Sequence, residues 1–159
     1  MAKQNKEYVY VDCYQCDENG KSSPWKRKHL DDVPKWQHEE AKDFNCFATV
    51  QKYANEKKTE GEDFLAPLYF DLDYSENPAV AQEEAIKLVE FFTGELDIQE
   101  QDLHIYFSGS KGFHILVDER ALGVEPRKDL QRVYKHIAGY LRYRLGEVQE
   151  QEDENGRPV

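Results

Sequence analysis

The fold of this chain is decided by the stretch Leu68-Tyr69-Phe70-Asp71-Leu72-Asp73. Leu68, Phe70 and Leu72 alternate with the other three residues, which is the period of two that is typical of a β-strand. Asp71 and Asp73 therefore face one side of the strand, together with Tyr69. Two carboxylates about 7 Å apart on one strand repel each other unless a cation lies near both. Mg²⁺ and Mn²⁺ prefer carboxylate oxygens, so the pair predicts a divalent-metal site. The alternative is a solvated strand edge without a ligand.

A second motif is Ser108-Gly109-Ser110-Lys111-Gly112-Phe113-His114. Residues 103–107 and 113–117 on either side of it predict two strands joined by a tight turn. Glycines in such a turn let main-chain N–H groups point at an anion, and the side chains of Ser108, Ser110, Lys111 and His114 add hydrogen-bond donors and charge. The motif therefore predicts a phosphate-binding turn. A polar hairpin with an unrelated strand histidine is the alternative.

Together the two motifs resemble those of the archaeo-eukaryotic primase superfamily, which comprises primase small subunits and the primase-polymerases of plasmids, phages and mobile elements. The resemblance covers roughly residues 40–145 and is most specific in residues 106–117. It implies metal-dependent primer synthesis on a single-stranded DNA template from nucleoside triphosphates. Asp71 and Asp73 would be catalytic and hold two Mg²⁺ or Mn²⁺ ions. The substrate triphosphate would be bound by Ser108, Ser110, Lys111 and His114.

One part of that family's pattern has no counterpart in this sequence. The third motif is a strand aspartate that follows the helix after the second motif, and Asp118 lies too close to His114 to replace it. We therefore expect a fragment of a longer protein with an incomplete metal site, followed by a helicase or another domain. Two alternatives stay open. One is a noncatalytic primase-like module that binds nucleic acid or a partner, and the other is a metal-dependent transferase acting on a nucleotide sugar.

The order of predicted elements indicates an α+β fold. Helical periodicity at residues 77–94 and 126–145, combined with the strands, predicts a mixed, largely antiparallel sheet with helices packed on one side, like the RRM-like palm of primases. We divide the chain into an N-terminal extension (1–40), a primase-like catalytic core (41–146) and an acidic tail or linker (147–159).

The predicted helix at 126–145 carries a basic face. Its members are Lys128, Arg132, Lys135 and Arg142. Because the whole chain has a net charge of −11, which opposes binding to phosphates, this face is the candidate contact for nucleic acid. The alternative is an ordinary solvated helix surface.

The N-terminal extension contains a candidate zinc element. Cys13 and Cys16 are spaced as half of a zinc site, and His29 follows at a distance seen in zinc fingers. Unligated thiols on a strand and turn are the alternative. The odd number of cysteines, together with the lack of a signal peptide or membrane-length apolar run, predicts a cytoplasmic protein without a membrane partner.

Overall fold

The computed structural model describes residues 6–41, 45–74, 77–109 and 112–145. Within them the strands are β1 (Tyr10–Gln15), β2 (Lys26–His29), β3 (Cys46–Ala48), β4 (Lys52–Tyr53), β5 (Phe64–Leu65), β6 (Leu68–Asp73), β7 (Leu103–Phe107) and β8 (Gly112–Val117). The α-helices are α1 (Val33–Lys35), α2 (Pro78–Glu90) and α3 (Leu130–Arg144). Turns of 3₁₀ helix lie at Leu30–Asp32 and Glu100–Asp102, and π-helical turns at Trp36–Glu40 and Phe91–Glu95. None of the described helices is long and apolar enough to cross a membrane.

Strands β6, β8 and β7 form a three-stranded antiparallel sheet in that order. The apolar side of β6 and β8 packs on α2 and α3, and Leu68, Ile115 and Val117 are almost completely buried against residues such as Phe92 and Leu141. The opposite face of this sheet, which we call the open face, carries the polar residues of both motifs. The α+β class with helices against one face, and the hairpin at 103–117, are confirmed.

Helix α2 begins as its sequence predicts. The Asn77 side chain accepts a hydrogen bond from the Ala79 backbone N–H at 3.2 Å, and Pro78 occupies the first turn, where its missing N–H costs nothing. Ala81, Ala85 and Leu88 then repeat along its buried side. Local capping chemistry and apolar spacing are therefore sufficient to define this helix.

Helix α3 begins later than the sequence predicts. Its first residue is Leu130, whereas the predicted helix started at residue 126. The Arg127 backbone N–H donates to the Phe64 carbonyl at 3.1 Å in an isolated antiparallel bridge, which holds this part of the chain extended. Lys128 therefore precedes the helix and is not part of its basic face.

A second sheet is built from the N-terminal strands in the order β2-β1-β4-β5, with β3 also pairing with β1. Its pairing joins residues before and after position 40. Several contacts join this sheet, or the segment that follows β5, to the region of the first sheet. Lys52 on β4 pairs with the buried Glu119, and the Tyr134 hydroxyl donates to the Ala66 carbonyl at 2.6 Å. Burial, with a smaller contribution from the Glu119 carboxylate, raises the pKa of Tyr134 to about 12.

A buried ion-pair network stabilises the N-terminal sheet. The Arg27 side chain is only 5% exposed and makes two hydrogen bonds to Asp12, at 2.8 and 3.1 Å. A third N–H group of Arg27 donates to Glu62 at 2.6 Å, and its guanidinium lies 3.7 Å from the centre of the Tyr53 ring. Because each charge is paired, burial of this cluster is tolerated.

Candidate active site

The open face brings the two sequence motifs together. In the strand register Asp71 lies opposite His114 and Asp73 lies opposite Gly112, and residues directly opposite each other point to the same side of a sheet. His114 Nε2 is 3.3 Å from Asp71 Oδ1, and 36% of the His114 side chain and 53% of the Asp71 side chain are exposed. Asp71, Asp73 and His114 therefore share one accessible face.

Ser108 connects the turn to the second aspartate. Its hydroxyl donates to Asp73 Oδ1 at 3.4 Å and accepts from the Gly112 backbone N–H at 2.9 Å. The Ser108 backbone N–H also donates to the Gly112 carbonyl at 2.9 Å, so this pair of residues closes the hairpin. Ser110 and Lys111, the other predicted phosphate ligands of the turn, lie outside the described residues.

The two glycines of the turn have different roles. Gly109 has a φ of +99°, a conformation that only glycine adopts readily, as expected for an anion-binding turn. The constraint at Gly112 is spatial. A methyl group added there would overlap the Leu72 carbonyl oxygen and lie 2.7 Å from the Leu72 carbonyl carbon and 3.1 Å from the Asp73 Cα. Gly112 therefore permits a close approach of β8 to β6.

Two tyrosines that sequence reasoning did not assign to the site also lie on the open face. The Tyr69 ring is 5.5 Å from the His114 ring, and burial, followed by the negative charges of Asp71 and Asp73, raises the pKa of Tyr69. Tyr106 lies directly opposite His114 on β7 and is 56% exposed. Strand alternation already placed Tyr69 on this face, whereas the position of Tyr106 depends on the pairing of β7 with β8.

The predicted basic face is divided in the structure. Lys128 precedes α3, and Arg132 forms an ion pair with Asp129 at 3.1 Å. Lys135 and Arg142 line a cavity of about 410 Å³ between α2, α3 and the edge of β6. Asp71 also borders this cavity. The four residues therefore do not form one continuous stripe.

That cavity has an apolar wall and a buried carboxylate. Phe70, Leu72 and Leu88 contribute to its lining. Glu84 is 6% exposed and one of its oxygens accepts from the Tyr74 hydroxyl at 2.7 Å, while the other has no hydrogen-bond partner among the described residues.

The candidate zinc residues are not brought together. Register pairs Tyr10 with His29 and Cys13 with Lys26, which places His29 and Cys13 three positions apart and on opposite faces of the sheet. Cys13 is fully buried in an apolar cluster, whereas the His29 ring packs against Tyr10 at 5.3 Å. The Cys16 thiol lies 3.5 Å from the hydroxyl of Ser22. In the described parts of the chain, no three His, Cys, Asp or Glu side chains converge as a metal-binding group, on the open face or elsewhere.

Fold and site together define an α+β domain whose uncovered sheet face carries two strand aspartates, a histidine and a glycine-containing turn. The family model of the DNA primase small subunit matches residues 70–154, more than half of the 159-residue chain. The chain therefore belongs to the DNA primase small subunit family, in agreement with the resemblance of its two motifs.

Curated relatives support the same assignment over part of their length. The chain is 36% identical over 95 residues to the DNA primase small subunit PriS of Thermoplasma volcanium, covering 50% of this chain and 27% of that protein. It is 40% identical over 60 residues to the DNA primase small subunit PriS of Pyrobaculum islandicum, covering 36% of this chain and 19% of that protein. It is 36% identical over 76 residues to the DNA primase small subunit PriS of Methanocorpusculum labreanum, covering 41% of this chain and 20% of that protein. The chain thus spans about a quarter or less of these relatives, and no solved structure gives a significant match.

Proposed function

We propose that this chain is the nucleotidyl-transfer domain of a DNA primase or primase-polymerase, which uses nucleoside triphosphates to make primers on single-stranded DNA. The observation that supports this most is the contact between His114 and Asp71 on the face that also carries Asp73. Membership of the primase small subunit family adds to it. The nucleotide-sugar transferase alternative leaves the turn at 108–112 without a role.

In this proposal Asp71 and Asp73 hold Mg²⁺ or Mn²⁺. Their donor chemistry fits these ions, because carboxylate oxygens on one exposed face can be completed by water and substrate phosphate oxygens. The ions would stabilise the attacking and leaving oxygens of the phosphoryl transfer. The two aspartates come from a single strand and no third ligand converges with them among the described residues, so the phosphate oxygens would have to supply much of the coordination.

The triphosphate would lie between the turn and His114. Ser108 lies at one end of the open face, and His114 lies two residues along β8 from Gly112. Ser110 and Lys111 are proposed to add a hydroxyl and a positive charge. A metal ion at Asp71 would compete with His114 for the same carboxylate, so His114 Nε2 would then be available to donate to a phosphate oxygen.

The template would need a positive surface, which the net charge of −11 does not supply in general. Lys135 and Arg142 are the two members of the predicted basic face that lie beside the β6 edge, near Asp71. We propose that they contact the backbone of the single-stranded template, and that Lys128 and Arg132 contribute less because they do not line the cavity beside Asp71.

The test is titration calorimetry of the chain with Mn²⁺ and ATP. His114→Ala should weaken ATP binding by roughly 10- to 150-fold, since a hydrogen bond to a charged group contributes about 1.5–3 kcal/mol. Asp71→Asn should abolish the dependence of ATP binding on Mn²⁺. His136→Ala, on the exposed surface of α3, is the matched control and should bind like the wild type. Equal affinity of the wild type and His114→Ala would overturn the triphosphate assignment.

Catalysis is tested separately. The chain is incubated with single-stranded DNA, labelled nucleotides and Mn²⁺, and the products are separated on a gel. Template-dependent products that disappear with Asp73→Asn support the enzyme. Nucleotide and template binding without any product would instead support a domain whose metal site lacks its third carboxylate, or the noncatalytic module.

A further inference from the structure

Tyr106 occupies a position on the open face that the roles proposed above leave unexplained. It is 56% exposed, and strand register places it directly beside His114, with Asp71 on the far side of that histidine. Its neighbours Ile105 and Phe107 point to the other face, as the pairing of Phe107 with Phe113 shows. A large aromatic ring is therefore presented to solvent in the same row as His114 and Asp71.

The His114 ring is flanked by aromatic residues on both neighbouring strands. Tyr69 on β6 approaches it to 5.5 Å, and Tyr106 lies across from it on β7, one strand spacing of about 4.8 Å away. Tyr69 is 38% exposed, and its ring packs against the histidine ring. Tyr106 is the more accessible of the two rings.

The chemistry around Tyr106 indicates what it would contact. A protein partner docking through apolar contacts would require a continuous apolar patch, but this face places His114 beside the tyrosine, and Asp71 and Asp73 on the next strand beyond it. A nucleotide fits both the polar residues and the aromatic ring. Its phosphates match the polar turn, and its base has an apolar face that stacks on aromatic rings.

We propose that Tyr106 stacks on the base of the nucleoside triphosphate whose phosphates are held by the turn and His114, and that Tyr69 positions the His114 ring. This inference rests on the proposed function. It assigns the two ends of the substrate to different residues, with the triphosphate at Ser108 and His114 and the nucleoside at Tyr106. Stacking is tolerant of sequence because every base has a π-face, so the residue would strengthen binding of all four nucleotides.

The experiment compares two ligands that differ only in the presence of a nucleoside. Mn²⁺ with ATP and Mn²⁺ with inorganic tripolyphosphate are titrated into the wild type, Tyr106→Leu and Tyr106→Phe. The leucine variant should lose about 5- to 100-fold in ATP affinity and keep its tripolyphosphate affinity, because only the stacking contact is removed. The phenylalanine variant keeps the ring and should bind both ligands like the wild type.

Phe107→Leu is the matched control, since it removes a ring of similar exposure from the opposite face of the same strand. It should leave both affinities unchanged. Unchanged ATP affinity in Tyr106→Leu would overturn the inference while leaving the phosphate site intact. An equal loss for both ligands would also overturn it, because Tyr106 would then act on the phosphates. Failure of the wild type to bind either ligand would overturn the proposed function and the inference with it.

Discussion

Replacement of Gly112 by alanine tests the geometry that holds the two motifs together. Gly112 lies opposite Asp73 in the β6–β8 ladder and bonds to Ser108 through its N–H and its carbonyl. A Cβ at this position would overlap the Leu72 carbonyl and approach the Asp73 Cα to 3.1 Å. Because these obstacles are backbone atoms of a paired strand, neither can rotate away as a side chain would. Gly112→Ala must therefore push β6 and β8 apart beside the second aspartate.

The cost follows from two contributions. Forcing extra volume into a packed position costs about 1–3 kcal/mol. Separation of the strands also weakens at least one backbone hydrogen bond, which contributes about 1 kcal/mol. The free energy of unfolding should therefore fall by about 2–4 kcal/mol, which lowers the melting temperature of a domain of this size by roughly 4–16 °C.

Thermal unfolding followed by circular dichroism measures this change, with Gly94→Ala as the control. Gly94 has open space around its Cβ position, so the same substitution there should be neutral or stabilise the protein by up to about 1 kcal/mol. We also expect Gly112→Ala to bind ATP in the presence of Mn²⁺ more weakly than the wild type. The measurement is made at a temperature where the variant is folded, so its loss of stability does not account for the difference. Equal melting temperatures for the two variants would refute the close approach of β8 to β6.

Three further predictions concern other contacts. Arg27→Met should lower the free energy of unfolding by about 3–5 kcal/mol in urea titration, because it removes the buried guanidinium that the carboxylates of Asp12 and Glu62 share. A loss below about 1 kcal/mol would contradict the network. Asp71→Asn should lower the pKa of Tyr69, although burial still holds that pKa above its usual value. The Tyr69 phenolate should therefore form at a lower pH than in the wild type, and it is measured as the absorbance difference from Tyr69→Phe. An unchanged or raised pKa would show that this charge does not act on the ring. Ser108→Ala should cost about 1 kcal/mol of stability through the lost hairpin hydrogen bond, and a variant as stable as the wild type would argue against that bond.

Patterns within a few residues were sufficient to predict the central elements. Alternation in residues 68–73 placed Asp71 and Asp73 on one face, and the apolar stretches around the glycines predicted the hairpin that carries His114. The cap at Asn77 and the spacing that follows defined α2. These features are local, because a strand has a period of two and a helix begins where its first N–H groups find a side-chain acceptor.

Features that depend on distant pairing were predicted poorly. The start of α3 was placed too early because the bridge between Arg127 and Phe64 joins residues more than sixty positions apart. The spacing of Cys13, Cys16 and His29 matched a zinc pattern, yet strand register places Cys13 and His29 on opposite faces of the sheet. In each case a local pattern was compatible with the prediction, and a contact from another part of the chain decided otherwise.

The sequence by itself determined which residues carry the chemistry: two aspartates on one strand face, and a serine, glycines and a histidine around one turn. Only the tertiary structure decided that Asp71 faces His114 at 3.3 Å, that Gly112 must be glycine to let β8 approach β6, and that Tyr69 and Tyr106 flank the histidine. The physical reason is that side-chain direction along a strand is set by the local backbone, whereas the partner across the sheet is set by register, and a shift of one residue would move every side chain to the other face.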